Sequence, residues 1–242
     1  MSGNTYRKEK DPFLGDDTGD NISDKNPFFS ELTGLYWIWK NTDSGITGVC
    51  HYRRFFTAQP EPFLYQFKRC LYTFVGLSGK RFGLIYTKNI NLFKAKILTK
   101  AELVHLLKQY DAVLPQARRL KYSVEEHYRR YHDINDLKIL NAIIKEKYPE
   151  YLEAFTTVLE GKRLYANNIF ILRDIHFQKF MQWWFDIIFE FERRVNLNKY
   201  SGYQKRIIGF IAERLLTVWF KKENLNCKEL QLIYFKNLKF EK

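Results

Sequence analysis

Residues Gly15–Phe56, GDDTGDNISDKNPFFSELTGLYWIWKNTDSGITGVCHYRRFF, constrain this chain more than any other stretch. An acidic Gly-rich loop, an aromatic helix and a His-Tyr-Arg-Arg cluster follow one another within about forty residues, a density of specific polar groups that a core does not require. Asp-rich turns ahead of a strand that ends in cationic side chains suit a pocket for a nucleotide-linked anion. In the loop GDDTGDNIS, Asp16, Asp17, Thr18 and Asn21 are the candidates for contacts to a base and ribose. The loop has no Walker or Rossmann spacing, and it lacks the twelfth-position glutamate of a calcium loop. Two readings stay open: a nucleotide-sugar loop, or tight Asp-Gly turns whose side chains satisfy their own backbone.

Asn26-Pro27 is a helix start, and Leu32, Leu35, Tyr36 and Trp39 share one face of a helix to about Lys40. Ile46–Cys50 reads as a short strand that delivers His51, Tyr52, Arg53 and Arg54 at its C-terminal end, where open α/β sheets bind ligands. Alternation puts His51 and Arg53 on one face and Tyr52 and Arg54 on the other. Two adjacent arginines among aromatics are costly to bury without an anion, and guanidinium suits bidentate phosphate recognition. The alternative pairs one arginine with Asp17 or Asp20 and leaves the other solvated.

Pro60–Leu98 has no clean period and mixes aromatic with basic residues, as a hairpin or helix laid on the domain surface would. Thr99–Glu102 forms a capping box for a helix to about Gln109, and Tyr110–Pro115 is a short buried strand. Helices follow from Glu125, from near Asp133 (Leu137, Leu140, Ile143, Ile144 inward) and from Pro149 to Gly161. Leu164–Leu172 reads as a strand with Asn167 and Asn168 at its centre, an unusual place for Asn. One of the pair must face inward and find partners, either a ligand hydroxyl or a loop backbone. Asp174 caps a long helix with Phe177, Met181, Trp184 and Ile188 on one side. Ser201–Phe220 is another helix and Leu230–Phe235 a terminal strand. The alternation of strands and helices makes the chain α/β.

Two carboxylates are candidates for a general base. Glu213 sits in the apolar helix IIGFIAERLLTVW, as an internal ion pair or a base. Glu126 belongs to EEHYRRYH, either a polar wall facing a sugar acceptor or a solvated helix face; the His127–His132 spacing suits no single metal, and no HExxH exists. No GxSxG, SxxK or Cys–His arrangement supports hydrolase chemistry.

Composition narrows the classes further. A chain of 242 residues, 45% hydrophobic and 17% aromatic, can bury a sizeable core, and no linker divides it. The net charge of +13 suits a polyanionic partner or a solvated basic face. No run of five or six like charges marks a nucleic-acid tail, and no recognised nucleic-acid motif accompanies the charge. Cys50, Cys70 and Cys227 are far apart and form no CxxC pair, which implies a reducing compartment. Met1–Lys10 is polar and charged, unlike a signal peptide, and no window reaches the ~18 apolar residues of a membrane span. The expectation is a cytoplasmic protein, peripheral at the inner face of the cell membrane.

The blocks GDDTGDNIS-KN, ELTGLYWIWKN, GVCHYRRFF, YDAVLP, EHY, DL, YPEY, NNIFIL and GFIAERLL resemble, in order, the signature of a bacterial family long labelled as a domain of unknown function. Its members occur in capsular and exopolysaccharide biosynthesis loci and are regarded as glycosyltransferases. The resemblance implies a single Rossmann-like α/β domain of the glycosyltransferase A type over residues 1–242, with a basic aromatic insertion at about 60–98. Family members carry a further strand ahead of the acidic loop, so this chain is expected to lack the first strand.

The implied reaction moves a sugar from a nucleotide-diphosphate donor to a lipid-linked or growing glycan. Asp16, Asp17, Thr18 and Asn21 would contact the nucleoside, His51, Arg53 and Arg54 the diphosphate, and Asn167 and Asn168 the sugar hydroxyls; Glu213 or Glu126 would be the base. GVCHYRRFF stands where many A-type enzymes hold a metal on Asp-x-Asp, so arginines are expected to replace the metal and no cofactor is expected. The partners implied are the donor, the glycan acceptor and an anionic membrane surface, without nucleic acid. The rival readings are another nucleotide-sugar or phospho-sugar enzyme on a similar frame, and a non-catalytic basic module at the membrane.

Overall fold

The computed structural model describes residues 14–74 and 84–236. The start of the N-terminal loop and residues 75–83 of the basic aromatic insertion lie outside the described residues. In chain order the elements are α1 (Asn26–Phe29), α2 (Leu32–Asn41), β1 (Ile46–Val49), β2 (Arg54–Thr57), α3 (Phe63–Phe74), β3 (Leu84–Thr87), α4 (Ile90–Lys94) and α5 (Lys100–Leu106). They continue as β4 (Ala112–Pro115), β5 (Arg118–Arg119), α6 (Val124–Tyr131), α7 (Asn135–Lys147), α8 (Leu152–Glu160), β6 (Arg163–Leu164), β7 (Phe170–Arg173), α9 (Asp174–Arg194), α10 (Ile207–Glu223) and β8 (Cys227–Phe235). The chain clusters into two compact units, one helical and one built on a sheet.

The helical unit takes the chain up to Thr47 with Leu120–Leu164 and Leu172–Asn224. The expected face of α9 is buried, and Phe180, Trp183, Phe185, Ile187 and Phe191 are buried beside it. Helix α10 is buried at every position from Ile207 to Phe220 except Glu213, the pattern of a core helix. Phe180 stacks on Trp184 at 4.7 Å and meets Trp219 at 4.9 Å. The buried Trp184 indole donates to Ala212 O at 3.2 Å, so its one polar group is satisfied. Each such side chain contributes about 1.5–3 kcal/mol through burial.

The acidic loop is laced onto α2. Thr33, Trp37 and Asn41 are spaced i, i+4, i+8 and therefore line one helix face. Thr33 Oγ1 donates to Asp16 Oδ2 at 2.5 Å. Trp37 Nε1 donates to Thr18 O at 2.7 Å. The Asn41 amide clamps the Asp20 main chain, donating to its carbonyl at 2.7 Å and accepting from its N–H at 3.0 Å. Gly19 passes so close, with φ of 59°, that a Cβ there would run into Asn41 Oδ1. Within the loop, Asn21 accepts from Ser23 N at 3.2 Å and donates to Gly19 O at 3.0 Å, an Asx turn. On the other side of α2, Trp39 stacks on Phe185 of α9 at 5.7 Å.

The sheet-based unit comprises Gly48–Arg119, Tyr165–Ile171 and Leu225 onward. Its six-stranded sheet has the order β1-β7-β4-β8-β2, with β3 also paired to β8. The first half of β8 runs parallel to β4, with Pro115 opposite Leu230. Its second half lies between antiparallel β2 and parallel β3, because Tyr234 is opposite both Arg54 and Tyr86. On one sheet face Ile85, Ile233 and Phe235 pack with Phe93 of α4, against half-buried Phe55 and Tyr65. The capping box at Thr99 is formed, with Thr99 N donating to Glu102 Oε2 at 2.8 Å.

Several sequence expectations need correction. Asp174 is the first residue of α9 and does not cap it, since Arg173 holds the cap position. The helix expected from Ser201 begins at Ile207, after a 3-10 turn over Gly202–Arg206. The helix expected from Asn26 to Lys40 breaks at Ser30, where φ is 51°. Helix α5 stops at Leu106, not Gln109. The strand expected over Leu164–Leu172 is interrupted between Leu164 and Phe170, because both asparagines adopt left-handed backbone, φ 77° and 51°. Asn tolerates that conformation far better than the β-branched residues of a strand.

The lock between loop and helix predicts that Gly19→Ala and Asn41→Ala each destabilise the chain by about 1–3 kcal/mol, the cost of strain or of unpaired main-chain groups. Thermal unfolding measures this; midpoints equal to wild type would show that α2 does not hold the loop.

Candidate functional site

The arginine cluster is built by a turn, not by strand alternation. Arg54 N donates to His51 O at 2.8 Å, so Tyr52 and Arg53 sit at the centre of a tight turn and Arg54 opens β2. The strand expected to deliver all four residues ends at Val49, since the Arg54 amide finds its acceptor three residues back. Four expected positions are thereby brought together differently: the His51 ring lies 4.5 Å from Tyr52, and the Arg53 guanidinium lies 4.6 Å from Tyr52 and 5.2 Å from Tyr234.

Arg54, Tyr234 and Tyr86 form a row across three strands on one sheet face. The Arg54 guanidinium is 5.4 Å from the Tyr234 ring, Tyr86 and Tyr234 are 5.0 Å apart, and Lys236 Nζ lies 5.7 Å from Tyr86. Cation–π contacts of this kind contribute about 0.5–2 kcal/mol each. They leave the guanidinium N–H groups to other partners. Arg53 Nε is buried and has no hydrogen-bond partner among the described residues.

Two residues back along β8, the same face carries Leu232 with Phe56 and Leu84 opposite. Beyond them lies a small, shallow cleft lined by Leu84, Leu232, Pro115, Gln116, Arg118, Ala166 and Asn167. It lies at the C-terminal end of β4, the position open α/β sheets use for ligands. Arg118 donates to Asn167 Oδ1 at 3.3 Å. Asn168 is 1% exposed. Glu229 ties the surrounding loops together, accepting from Ala117 N at 3.3 Å and from Tyr165 OH at 2.7 Å. Consecutive left-handed residues at a cleft store strain that the clamped loops maintain.

Arg118, Tyr86, Tyr234 and Lys236 were not singled out from sequence. The alternation of Leu230, Leu232 and Tyr234 was the available signal, since it places Tyr234 on one face with two leucines. The register that brings Arg54 and Tyr86 to either side of it was not legible.

The remaining sequence candidates lie in the helical unit. Asp16 is buried on Thr33, and Thr18 and Asn21 hold the loop as described above; Asp17 is half-buried. Glu126 pairs with Arg130 at 2.9 Å and Arg129 at 3.4 Å on an exposed helix face. Glu213 pairs with Arg214 at 3.3 Å. Arg214 is 2% exposed, donates to Phe210 O at 2.8 Å and lies over the Tyr128 ring at 5.0 Å.

Around Arg214 runs a polar network that sequence reading missed. Tyr128 and Tyr200 both donate to the buried Asp136 carboxylate, the former at 3.0 Å. Gln204 Nε2 donates to Tyr131 O at 2.7 Å, which orients its Oε1 to accept from His132 Nδ1 at 2.9 Å. The His132 ring is 4.2 Å from Phe210. Burial, with Arg214 nearby, holds His132 down at about 4, so the ring is neutral at pH 7.

An α/β chain with guanidinium and phenol groups in a row beside a strand-end cleft is equipped to hold an anionic, hydroxyl-bearing ligand. The chain belongs to the family described as Domain of unknown function (DUF4422), which matches residues 2–224. It is similar in structure to the WbbM bifunctional glycosyltransferase, in its apo structure, with a TM-score of 0.79 and 33% identity over 92% of this chain. The chain spans 39% of the length of that protein. No curated protein matches it. The fold is α/β and matches that of the corresponding part of WbbM.

The His132 site predicts a pH dependence. A histidine held below its ordinary 6.5 binds fewer protons folded than unfolded, so stability falls as pH drops from about 6.5 to about 4. Asp136, raised above its ordinary value by burial, acts in the opposite sense at the acid edge of that window. Urea unfolding across pH 4–7 should show the decline in wild type and a flatter profile in His132→Asn. Identical profiles would remove His132 as its source.

Proposed function

We propose that this chain is a glycosyltransferase that moves a sugar from a nucleotide-diphosphate donor onto a lipid-linked or growing glycan, in the assembly of a capsular, extracellular or related surface polysaccharide. The similarity to a bifunctional glycosyltransferase supports the reaction class. The observation that carries the donor assignment is Arg53, whose buried Nε faces no hydrogen-bond partner among the described residues. A cation in that state is stabilised most by an anion that accepts from its planar fork.

In this reading Arg53 and Arg54 neutralise the diphosphate as it leaves, with no divalent metal required. Stabilising charge where it develops in the transition state is the larger part of catalysis for such a step. Asn167 and Asn168, at the cleft, would contact sugar hydroxyls. Of the two candidate bases, Glu126 is committed to two arginines on an exposed helix. Glu213, with only 19% of its side chain exposed, is the better choice, and Glu213→Gln should retain donor binding while losing turnover.

The experiment is a thermal-shift screen of nucleotide sugars, followed by titration of the corresponding nucleoside diphosphate with and without chelator. Arg53→Ala and Arg54→Ala should each weaken diphosphate binding about ten- to a hundredfold, the value of one charge-assisted hydrogen bond, and weaken nucleoside binding far less. Lysine at either position should rescue only in part, because it keeps the charge and loses the fork. Binding abolished by chelator and untouched by both alanine substitutions would overturn the metal-free clamp.

A further inference from the structure

Helix α3 (FLYQFKRCLYTF) turns its apolar side away from the protein. With about 100° per residue, Phe63, Leu64, Phe67, Leu71 and Phe74 fall within an arc of about 100°. They are 78%, 72%, 56%, 52% and 90% exposed. The contact that fixes the helix comes from the opposite side. Tyr65 meets Phe93 of α4 at 5.0 Å, and Gln66 Nε2 donates to Glu61 O at 2.7 Å. An amphipathic helix anchored by its polar side, with five large apolar residues in solvent, is the reverse of ordinary burial. A contiguous patch of this kind marks an interaction surface.

Charge identifies the partner. From Phe63 to Ala101 the sequence has eight lysines and arginines and no aspartate or glutamate. Lys68, beside the stripe on α3, is exposed, as are Lys88, Lys94 and Lys100 in the segments that follow. Leu92, on the α4 helix that Tyr65 touches, is 43% exposed. Aromatic and leucine side chains rimmed by lysine are the composition of a helix that lies in the plane of a bilayer interface. Phosphate headgroups would meet the lysines while the stripe enters the acyl boundary. Among the described residues no helix is long and apolar enough to cross a membrane, so the contact would be peripheral.

We propose that α3 docks this chain on an anionic lipid bilayer, with Phe63, Phe67, Leu71 and Phe74 inserted and Lys68 at headgroup level. This goes beyond the reading of the catalytic site and does not depend on it, because every residue it uses lies outside that site.

The test is co-sedimentation of the full chain with vesicles of phosphatidylcholine alone or with phosphatidylglycerol, at low and high salt. Wild type should bind the anionic vesicles, bind the neutral ones weakly, and lose affinity as salt screens the lysines. The double variant Phe67→Glu/Leu71→Glu should bind at least about tenfold less, since it removes apolar insertion and adds repulsion. Lys68→Ala should cost about fivefold at low salt and little at high salt. Both variants replace exposed residues, so unfolding midpoints should match wild type. Absent binding to anionic vesicles, or binding that survives the double variant, would overturn the proposal. So would a wild-type oligomer that the double variant converts to a monomer without any vesicle binding, because the stripe would then be a protein contact.

Discussion

Strand β8 must satisfy main-chain hydrogen bonds along its length, and the rest of the sheet-based unit follows from how it does so. It pairs with β4 through Cys227–Leu230 and with β2 and β3 through its second half. Three segments far apart in sequence are thereby fixed in register against one strand. A slip of a single residue would send Tyr234 to the opposite face and break up its row with Arg54 and Tyr86. The position of the cationic face is therefore a consequence of pairing, and the Arg53 turn sits on the scaffold that the pairing makes.

The helical unit reaches order by a different route. Its core is aromatic, with Trp184 and Trp219 fully buried. Two sets of polar partners stand out within it. One holds the acidic loop on α2; the other surrounds Asp136 and Arg214. Buried polar networks are costly when half-satisfied and restrict the chain to one arrangement when complete. Asp136 accepts from two tyrosines, which explains how a carboxylate at 1% exposure is tolerated.

Much of this was legible in the sequence where periodicity is simple. The inward faces of α7 and α9 follow from 3.6-residue spacing, and the Thr99 capping box from four residues. The Asn pair was misread as strand because the apolar run around it is continuous, and left-handed φ leaves no trace in hydrophobicity. Helix α3 was only half legible: the spacing of Phe63, Leu64, Phe67, Leu71 and Phe74 is helical, but Tyr65 and Tyr72 between them blur the period. The His51–Arg54 turn contains no Gly or Pro, so turn chemistry gave no warning. Arg118 and Tyr234 became visible only through register, which depends on contacts more than a hundred residues apart.

The central claim is that the Arg53–Arg54 face receives the diphosphate of the donor. A structure determined with a nucleoside diphosphate bound tests it most directly. The account predicts phosphate oxygens within hydrogen-bond distance of the Arg53 guanidinium, including its buried Nε, beside the Tyr234 ring. A diphosphate held elsewhere, with Arg53 and Arg54 unchanged in their contacts, would contradict it.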